Sequence, residues 1–311
     1  MTVNQLWVEK WRPNTLDGYV FIDQSQKQEI ESWIKNKSIP HLLFYGPPGT
    51  GKTTLAKILV NQIGVNPYDF LQVNASKDNG VDFLKDRIES FVSTMPFGDL
   101  KVVLLDESDY LSQNAQALMR GLMETYAEQA RFILTCNLVH KIIGPLKSRC
   151  KDVQINKLDQ TEFTTRVAEI LINENVVFEL EILDSYVKAT YPDLRKCINL
   201  VQSASIGGSL QAPAESGSAG NTLDYKLTVV DLFKKRKIRE ARTLLCSQAR
   251  PEEMEEIFRW MYDNLDLWSS TEEGQDDAIL IIKKGMVHHS IVADPEINLS
   301  ATFTELARIE K

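Results

Sequence analysis

The sequence predicts an α/β fold in which a parallel sheet is covered by helices on both faces and is followed by regions built only of helices. Three observations carry this expectation. Apolar runs of strand length recur at Leu42 to Tyr45, Phe70 to Val73, Val102 to Leu105, Phe132 to Thr135 and Val153 to Ile155, with helical patterns between them. Such alternation implies parallel strands joined by crossover helices. Strand signals stop after about Asn156. Finally, the glycine-rich segment Gly46-Pro47-Pro48-Gly49-Thr50-Gly51-Lys52-Thr53 joins the first run to the helical pattern Leu55, Ala56, Ile58 and Leu59. It therefore lies at the carboxyl end of a strand, where open α/β sheets bind ligands.

The segment fits G-x-x-x-x-G-K-[ST] at every constrained position. Its glycines let the backbone curl so that N–H groups and the following helix N-terminus point at phosphate oxygens. In that arrangement Lys52 supplies charge to the β and γ phosphates, Thr53 holds Mg²⁺ through its hydroxyl, and Thr54 continues the cradle into the helix. ATP and Mg²⁺ are the expected ligands.

About fifty residues later, Lys101-Val102-Val103-Leu104-Leu105-Asp106-Glu107-Ser108-Asp109 reads as a buried strand ending in acids. Carboxylates there cost desolvation and need a metal or a partner. Asp106 is placed to reach Mg²⁺ through its water shell, and Glu107 to polarise the water that attacks the γ phosphate. The next strand ends at Asn137, either a turn residue or, because adjacent strand ends converge on one crevice, an amide that holds the attacking water or touches the γ phosphate. Ser148-Arg149-Cys150 follows the short helical pattern Lys141 to Lys147. An arginine there is either a solvated charge or a finger, whose stabilisation of a transferring phosphoryl group contributes about 10³ to 10⁵ in rate.

Thr161 to Glu174, Glu181 to Thr190 and Asp193 to Ser203 read as three helices, with Pro192 breaking the chain and Asp193 as N-cap of the third. Arg195 follows as a second candidate phosphate contact. Ile206 to Asn221 is rich in Gly, Ser, Ala and Pro and reads as a linker. Beyond it, Pro251-Glu252-Glu253 reads as a helix start, and Met254, Ile257, Phe258, Met261 and Leu265 share one face, to line a core or bind a partner helix.

Composition sets the bounds. At 311 residues, 43% hydrophobic and 25% charged, the chain suits about two domains of ordinary globular character. With no apolar run of about 18 residues and no signal-peptide pattern, an intracellular protein without membrane contact is expected. Cys136, Cys150, Cys197 and Cys246 are scattered and read as reduced structural thiols; His288-His289 reads as a pair of surface or interface residues. The net charge of −8 lies wholly in the later half, because residues 1–160 carry 18 basic and 18 acidic side chains. A local basic track therefore stays open in the front half. Lys234-Lys235-Arg236-Lys237 spreads its charges around a helix and reads as a solvated face.

The segments Trp7-Val8-Glu9-Lys10-Trp11-Arg12-Pro13, Gly46 to Thr53, Asn74-Ala75-Ser76, Asp106-Glu107-Ser108-Asp109, Asn137, Pro145 to Cys150 and Pro192-Asp193-Leu194-Arg195-Lys196 occur in one order across residues 7–203. In this the chain resembles the small ATPase subunits of sliding-clamp loaders, as in eukaryotic replication factor C and the loaders of tailed phages, within the AAA+ class. The resemblance implies an AAA+ P-loop domain over residues 1–156, a helical lid over 157–205, a linker over 206–222 and an all-α collar over 223–311, the collars joining five subunits into a ring. It implies that Lys52, Thr53, Asp106, Glu107, Asn137 and Arg195 act within the chain. Val8, Arg12 and Pro13 would lie against the adenine, and Arg149, with Arg120, would reach a neighbour's site. ATP binding would hold an open sliding clamp on primer-template DNA and hydrolysis would release it. A branch-migration motor, a replication initiator and a non-hydrolysing scaffold subunit are the rival readings.

Two departures from the family pattern stand out. Its coupling arginine aligns with Asn79, so Lys77 is expected to take over that role, and the paired arginines of the following helix are reduced to Arg120-Gly121. DNA contact is then expected from Lys77, Asn79, Gly80 and Lys85, with Arg87 as an outlying candidate, through phosphates and without sequence preference; a solvated helix face is the alternative reading of Lys85 and Arg87. Met95 and Phe97, in an apolar turn-like stretch, are either buried packing or a contact with the clamp.

Overall fold

The structure, a computed structural model, describes residues 5–21, 23–77, 80–212, 225–249, 254–289 and 291–309. Two compact units divide the chain: Trp11–Leu158, and Met1–Lys10 together with Asp159–Lys311. The short helix α1 (Trp7–Lys10) belongs to the second unit. Its Trp7 N–H donates to Gln202 Oε1 at 2.9 Å, and Lys10 pairs with Glu174 at 2.7 Å.

In the first unit the elements run α2 (Gln24–Lys35), β1 (Leu42–Tyr45), α3 (Lys52–Ile63), β2 (Phe70–Asn74), α4 (Val81–Val92), β3 (Lys101–Asp106), α5 (Gln113–Thr125), β4 (Ala130–Cys136), α6 (Gly144–Lys147) and β5 (Lys151–Gln154). All five strands predicted from apolar runs are present. They pair in parallel in the order β2-β3-β4-β1-β5. Because strand side chains alternate between faces, Leu42, Phe44, Val102, Leu104 and Ile133 pack with Leu55, Leu59 and Ile30 in one core. Leu43, Val103, Leu105, Phe132 and Leu134 pack with Leu84, Ile88, Met119 and Leu122 in the other. Both faces are covered, which is why the strands read as continuous apolar runs.

Two ladders position the site. Tyr45 lies beside Cys136, and Leu105 beside Leu134. The chain leaving β1, the acids ending β3 and the residues after β4 are thereby brought together at the carboxyl edge of the sheet.

The second unit is helical: α7 (Gln160–Asn173), α8 (Leu180–Thr190), α9 (Leu194–Ala204), α10 (Tyr225–Lys234), α11 (Ile238–Gln248), α12 (Met254–Asp263), α13 (Leu265–Trp268), α14 (Glu272–His289) and α15 (Pro295–Leu306). Asp193 caps α9, its carboxylate accepting the Lys196 N–H at 3.1 Å, as its position after Pro192 suggests. Residues 206–210, expected in a linker, instead join Ser205 in a hairpin of β6 (Ser205–Ile206) and β7 (Ser209–Leu210). Gly207 and Gly208, at φ 70 and 84, make its turn, so the glycines that signalled a linker serve a tight reversal. The rest of the expected linker that follows residue 212, and Pro251-Glu252-Glu253, lie outside the described residues.

Met254, Ile257, Phe258 and Met261 are buried, so that stripe lines a core rather than waiting for a partner helix. Trp268 organises it, with edge-on ring contacts to Phe233 at 5.1 Å and Phe303 at 5.8 Å. Trp260 Nε1–H donates to Lys188 O at 2.9 Å, and Lys234 pairs with Asp184 at 2.7 Å, joining α12 and α10 to α8. Lys235 and Lys237 likewise face Asp231 and Glu240, so the three lysines of the basic run are each paired with a carboxylate. No helix among the described residues is long and apolar enough to cross a membrane.

Candidate functional site

The loop between β1 and α3 has the shape its glycines predict. Gly46, Gly49 and Gly51 have φ of 154, 75 and 91. A Cβ on Gly46 would come within 2.0 Å of Ile155 O, so no other residue fits there. Lys52, only 7% exposed, turns back over the loop and donates to Gly46 O at 2.8 Å and Pro47 O at 2.6 Å. Thr50 Oγ1 donates to Pro47 O at 2.9 Å. Gly46 N–H donates to Cys136 O at 3.4 Å, tying the loop to the end of β4. Tyr19 packs against Gly51, and burial pushes its phenol well above the ordinary tyrosine range.

At the end of β3 the two acids are held differently. Asp106 Oδ1 accepts hydrogen bonds from Thr53 Oγ1 at 2.7 Å and from Thr135 Oγ1 at 2.5 Å. Glu107 adopts the left-handed conformation, φ 58 and ψ 44, with its N–H donating to the same Thr135 hydroxyl at 3.1 Å. A non-glycine residue held there stores of order 1–3 kcal/mol, and the chain turns sharply at the residue assigned to water activation. Asp109, nearly buried, accepts the N–H groups of Asn137 and Leu138 at 3.2 and 3.1 Å on Oδ2. The exposed Asn137 side chain is therefore supported through its own backbone.

Thr53 and Asp106 present a hydroxyl and a carboxylate to one spot, the hard oxygen pair that suits Mg²⁺. No group of three or more His, Cys, Asp or Glu side chains placed to hold a metal ion is found among the described residues. The four cysteines are free, and burial pushes Cys136 and Cys197 up to about 12, so they are neutral thiols.

Arg149 follows α6. Its Nη1 donates to Pro145 O at 2.6 Å and its Nη2 to Glu124 Oε1. Arg120, one turn earlier than Glu124 on α5, is exposed and has no partner among the described residues. Buried Gln116 joins these elements, its amide donating to Leu111 O and Lys141 O and accepting the Ile143 N–H at 2.8 Å.

Lys77 and Lys85 are exposed, and Gly80 caps α4. Asn79 lies outside the described residues. Arg87 sits over the Phe83 ring at 5.7 Å. Met95 and Phe97 are 82% and 78% exposed, so the apolar turn is not buried packing. It is held from beneath by two buried charges. Asp69 accepts the Phe97 and Gly98 N–H groups at 3.0 and 2.7 Å. Lys101 Nζ donates to Phe91 O at 2.6 Å and to Thr94 Oγ1. Tyr68, itself exposed, stacks near Phe97 at 5.7 Å.

Gly46 to Thr54, Asp106, Glu107, Asn137, Arg149 and Arg120 thus share the first unit, with Arg12 and Pro13. Val8, on α1, and Arg195, exposed in the first turn of α9, belong to the second. Sequence reasoning missed Thr135 and Glu124 as participants, and it named Asp109 only as one of the acids after β3, without its role beneath Asn137. The signal for Thr135 was one hydroxyl inside the apolar run of β4. Glu124 carried no signal, because an exposed glutamate near a helix end is ordinary.

Residues 42–158 match the ATPase family associated with various cellular activities (AAA). The replication factor C small subunit of Sulfolobus acidocaldarius is 35% identical over 97% of this chain and 95% of its own length. That of Aeropyrum pernix is 34% identical over 99% and 98%, and that of Archaeoglobus fulgidus 40% identical over 66% of each chain. Among solved structures, the Thermotoga maritima RuvB Holliday junction branch migration motor superposes with a TM-score of 0.54 at 16% identity, over 76% of this chain and 85% of that one. At that identity the likeness speaks for the fold alone. With relatives above 30% identity matching essentially end to end, and with the phosphate loop and strand-end acids in place, the chain belongs to the replication factor C small-subunit family of AAA ATPases.

Proposed function

We propose that the protein is the ATPase subunit of a DNA polymerase sliding-clamp loader, whose ATP site is completed by a neighbouring subunit. The observation that carries this reading is the meeting of Lys52, Thr53 and Asp106 at the phosphate loop, with Glu107 next in the chain and tied to the same Thr135 as Asp106, and with Arg149 held beside Glu124 and Pro145. Phosphates would be cradled by the backbone from Gly46 to Thr54, and Lys52 would exchange loop carbonyls for phosphate oxygens. Mg²⁺, held by Thr53 and Asp106, would neutralise developing phosphate charge. Glu107 would orient and deprotonate the attacking water, and Asn137 would hold it in line. Val8, Arg12 and Pro13 would contact the adenine, and Arg195 a phosphate. Arg149, assisted by Arg120, would stabilise the transition state in the next subunit of a five-membered ring.

Lys77, Asn79, Gly80 and Lys85 would contact primer-template DNA through phosphates, and Lys77 would couple that contact to Glu107. The turn bearing Met95 and Phe97 would dock on the clamp. In this reading ATP binding opens and places the clamp, hydrolysis releases the loader, and the protein works inside the cell. The domains would be those of the family: nucleotide domain 1–156, lid 157–205, linker 206–222 and collar 223–311.

The test is steady-state ATPase of the assembled complex with and without DNA and clamp. Glu107→Gln is expected to bind ATP with near-native affinity and to abolish stimulated turnover. Normal turnover by that variant would sink the catalytic assignment, and the scaffold reading would stand if the native complex never hydrolysed ATP.

A further inference from the structure

Glu124 has no place in the scheme above, yet it makes the only ion pair found for Arg149 among the described residues. We propose that Glu124 is a positioning residue for the phosphoryl-transfer reaction, holding the Arg149 guanidinium in the orientation in which it is delivered to a neighbour's nucleotide; the inference rests on the reading of Arg149 as a residue acting between subunits.

The geometry supports it in three ways. A free arginine side chain samples many rotamers, and binding it to one carboxylate and one carbonyl removes most of that freedom before any partner arrives. Here Nη2 is engaged by Glu124 and Nη1 by Pro145 O. Two of the five guanidinium N–H groups are used, and Nε–H with one N–H on each terminal nitrogen remain available for phosphate oxygens. The side chain is still 34% exposed, so the held fork faces solvent rather than the core.

The local charge also fits. Glu124 lies in the last turn of α5 and Arg120 one turn before it, so Arg120, Glu124 and Arg149 form a surface carrying two positive charges and one negative. A single carboxylate restrains one cation without cancelling the pair, and the excess positive charge suits a polyphosphate partner. A second carboxylate would have neutralised the surface. None is ion-paired with either arginine among the described residues.

Finally, the scaffold beneath is stiff. Buried Gln116 bonds to Lys141 O at 3.0 Å and to the Ile143 N–H at 2.8 Å, fixing the segment before α6 to α5. Glu124 and Arg149 therefore stand on elements locked to each other, and their pairing is set by backbone placement.

The experiment is a double-mutant cycle in the assembled complex, with turnover measured against ATP, DNA and clamp, and with assembly checked by mass and folding by thermal unfolding. Glu124→Ala is expected to lower stimulated kcat about 3- to 10-fold with KM for ATP little changed, Glu124→Asp to recover part of the loss, and Glu124→Ala to add nothing once Arg149→Ala is present. An equal loss in the Arg149→Ala background would make Glu124 merely structural and overturn the proposal. A rise in turnover would make Glu124 a restraint that competes with phosphate, and would overturn it too. If Glu124→Ala fails to assemble, Glu124→Gln runs the same cycle. Arg149→Ala leaving turnover untouched would sink the assignment of Arg149 itself, whereas loss with Arg149→Ala but none with any Glu124 variant would refute only the role of Glu124.

Discussion

Thr135→Val tests whether one buried hydroxyl aligns both acids of the site. Valine has nearly the shape of threonine, so the packing of a residue that is 1% exposed is retained. What is lost is a donor to Asp106 Oδ1 at 2.5 Å and an acceptor for the Glu107 N–H at 3.1 Å. Asp106 keeps the Thr53 hydroxyl, so its loss is partial, whereas Thr135 is the one partner of the Glu107 N–H among the described residues. A hydrogen bond to a charged group is worth roughly 1.5–3 kcal/mol and an unmet buried N–H costs about 1–3 kcal/mol. The left-handed turn at Glu107, already strained, then has less to hold it. If about 1.5–3 kcal/mol of this is missing from the transition state, kcat falls about 10- to 150-fold. Stopped assays of phosphate release by the assembled complex measure it, beside fluorescent-nucleotide binding, which should change much less. Thr135→Ser is the control: it keeps the hydroxyl, loses a methyl group worth about 1 kcal/mol of stability, and should turn over near the native rate. A valine variant as active as the native protein, or a serine variant as impaired as valine, would refute the reasoning.

Three further expectations follow from the same geometry. Asp109→Asn weakens the support of Asn137, because the charged acceptor of two N–H groups becomes neutral; kcat should fall about tenfold, and combination with Asn137→Ala should be less than additive, measured by steady-state turnover. Burial first and the Arg131 charge second push His41 down to about 4, and its Nδ1 accepts the Phe132 N–H at 3.1 Å. The folded protein therefore keeps the ring neutral while the unfolded chain takes up a proton below about pH 6.5. Stability is present in full above pH 6.5 and is lost as pH falls towards 4, by less than the whole shift would give, because solvent screens the partly exposed ring. Urea midpoints measured across that window should slope less steeply in His41→Gln. Lys77→Ala with Lys85→Ala should lower DNA affinity equally for unrelated sequences and reduce the salt slope by about one to two, read by fluorescence anisotropy over a salt series. An unchanged slope would remove both lysines from the DNA surface.

The sequence alone determined the parts of this protein that depend on local pattern. Strand-length apolar runs at Leu42, Phe70, Val102, Phe132 and Val153 became five strands because both faces of the sheet are buried. The loop at Gly46 to Thr53 was legible because its backbone requires glycine at positive φ. Asp106, Glu107 and Arg149 were legible as charges standing where a strand or short helix ends. What the pattern could not supply were partners brought together by folding. Whether Met95 and Phe97 were core or surface depended on Asp69 and Lys101 reaching the turn from other elements, and the stripe beginning at Met254 depended on Trp268 and its neighbours to become core. The hydroxyl of Thr135 meets Asp106 and Glu107 only through the pairing of β3 with β4. Glu124 meets Arg149 across 25 residues of sequence. Contacts of that range leave no periodicity in a chain, because the residue types involved are ordinary wherever they stand alone; tertiary structure decided them by bringing the sheet's strand ends and the end of α5 to fixed places.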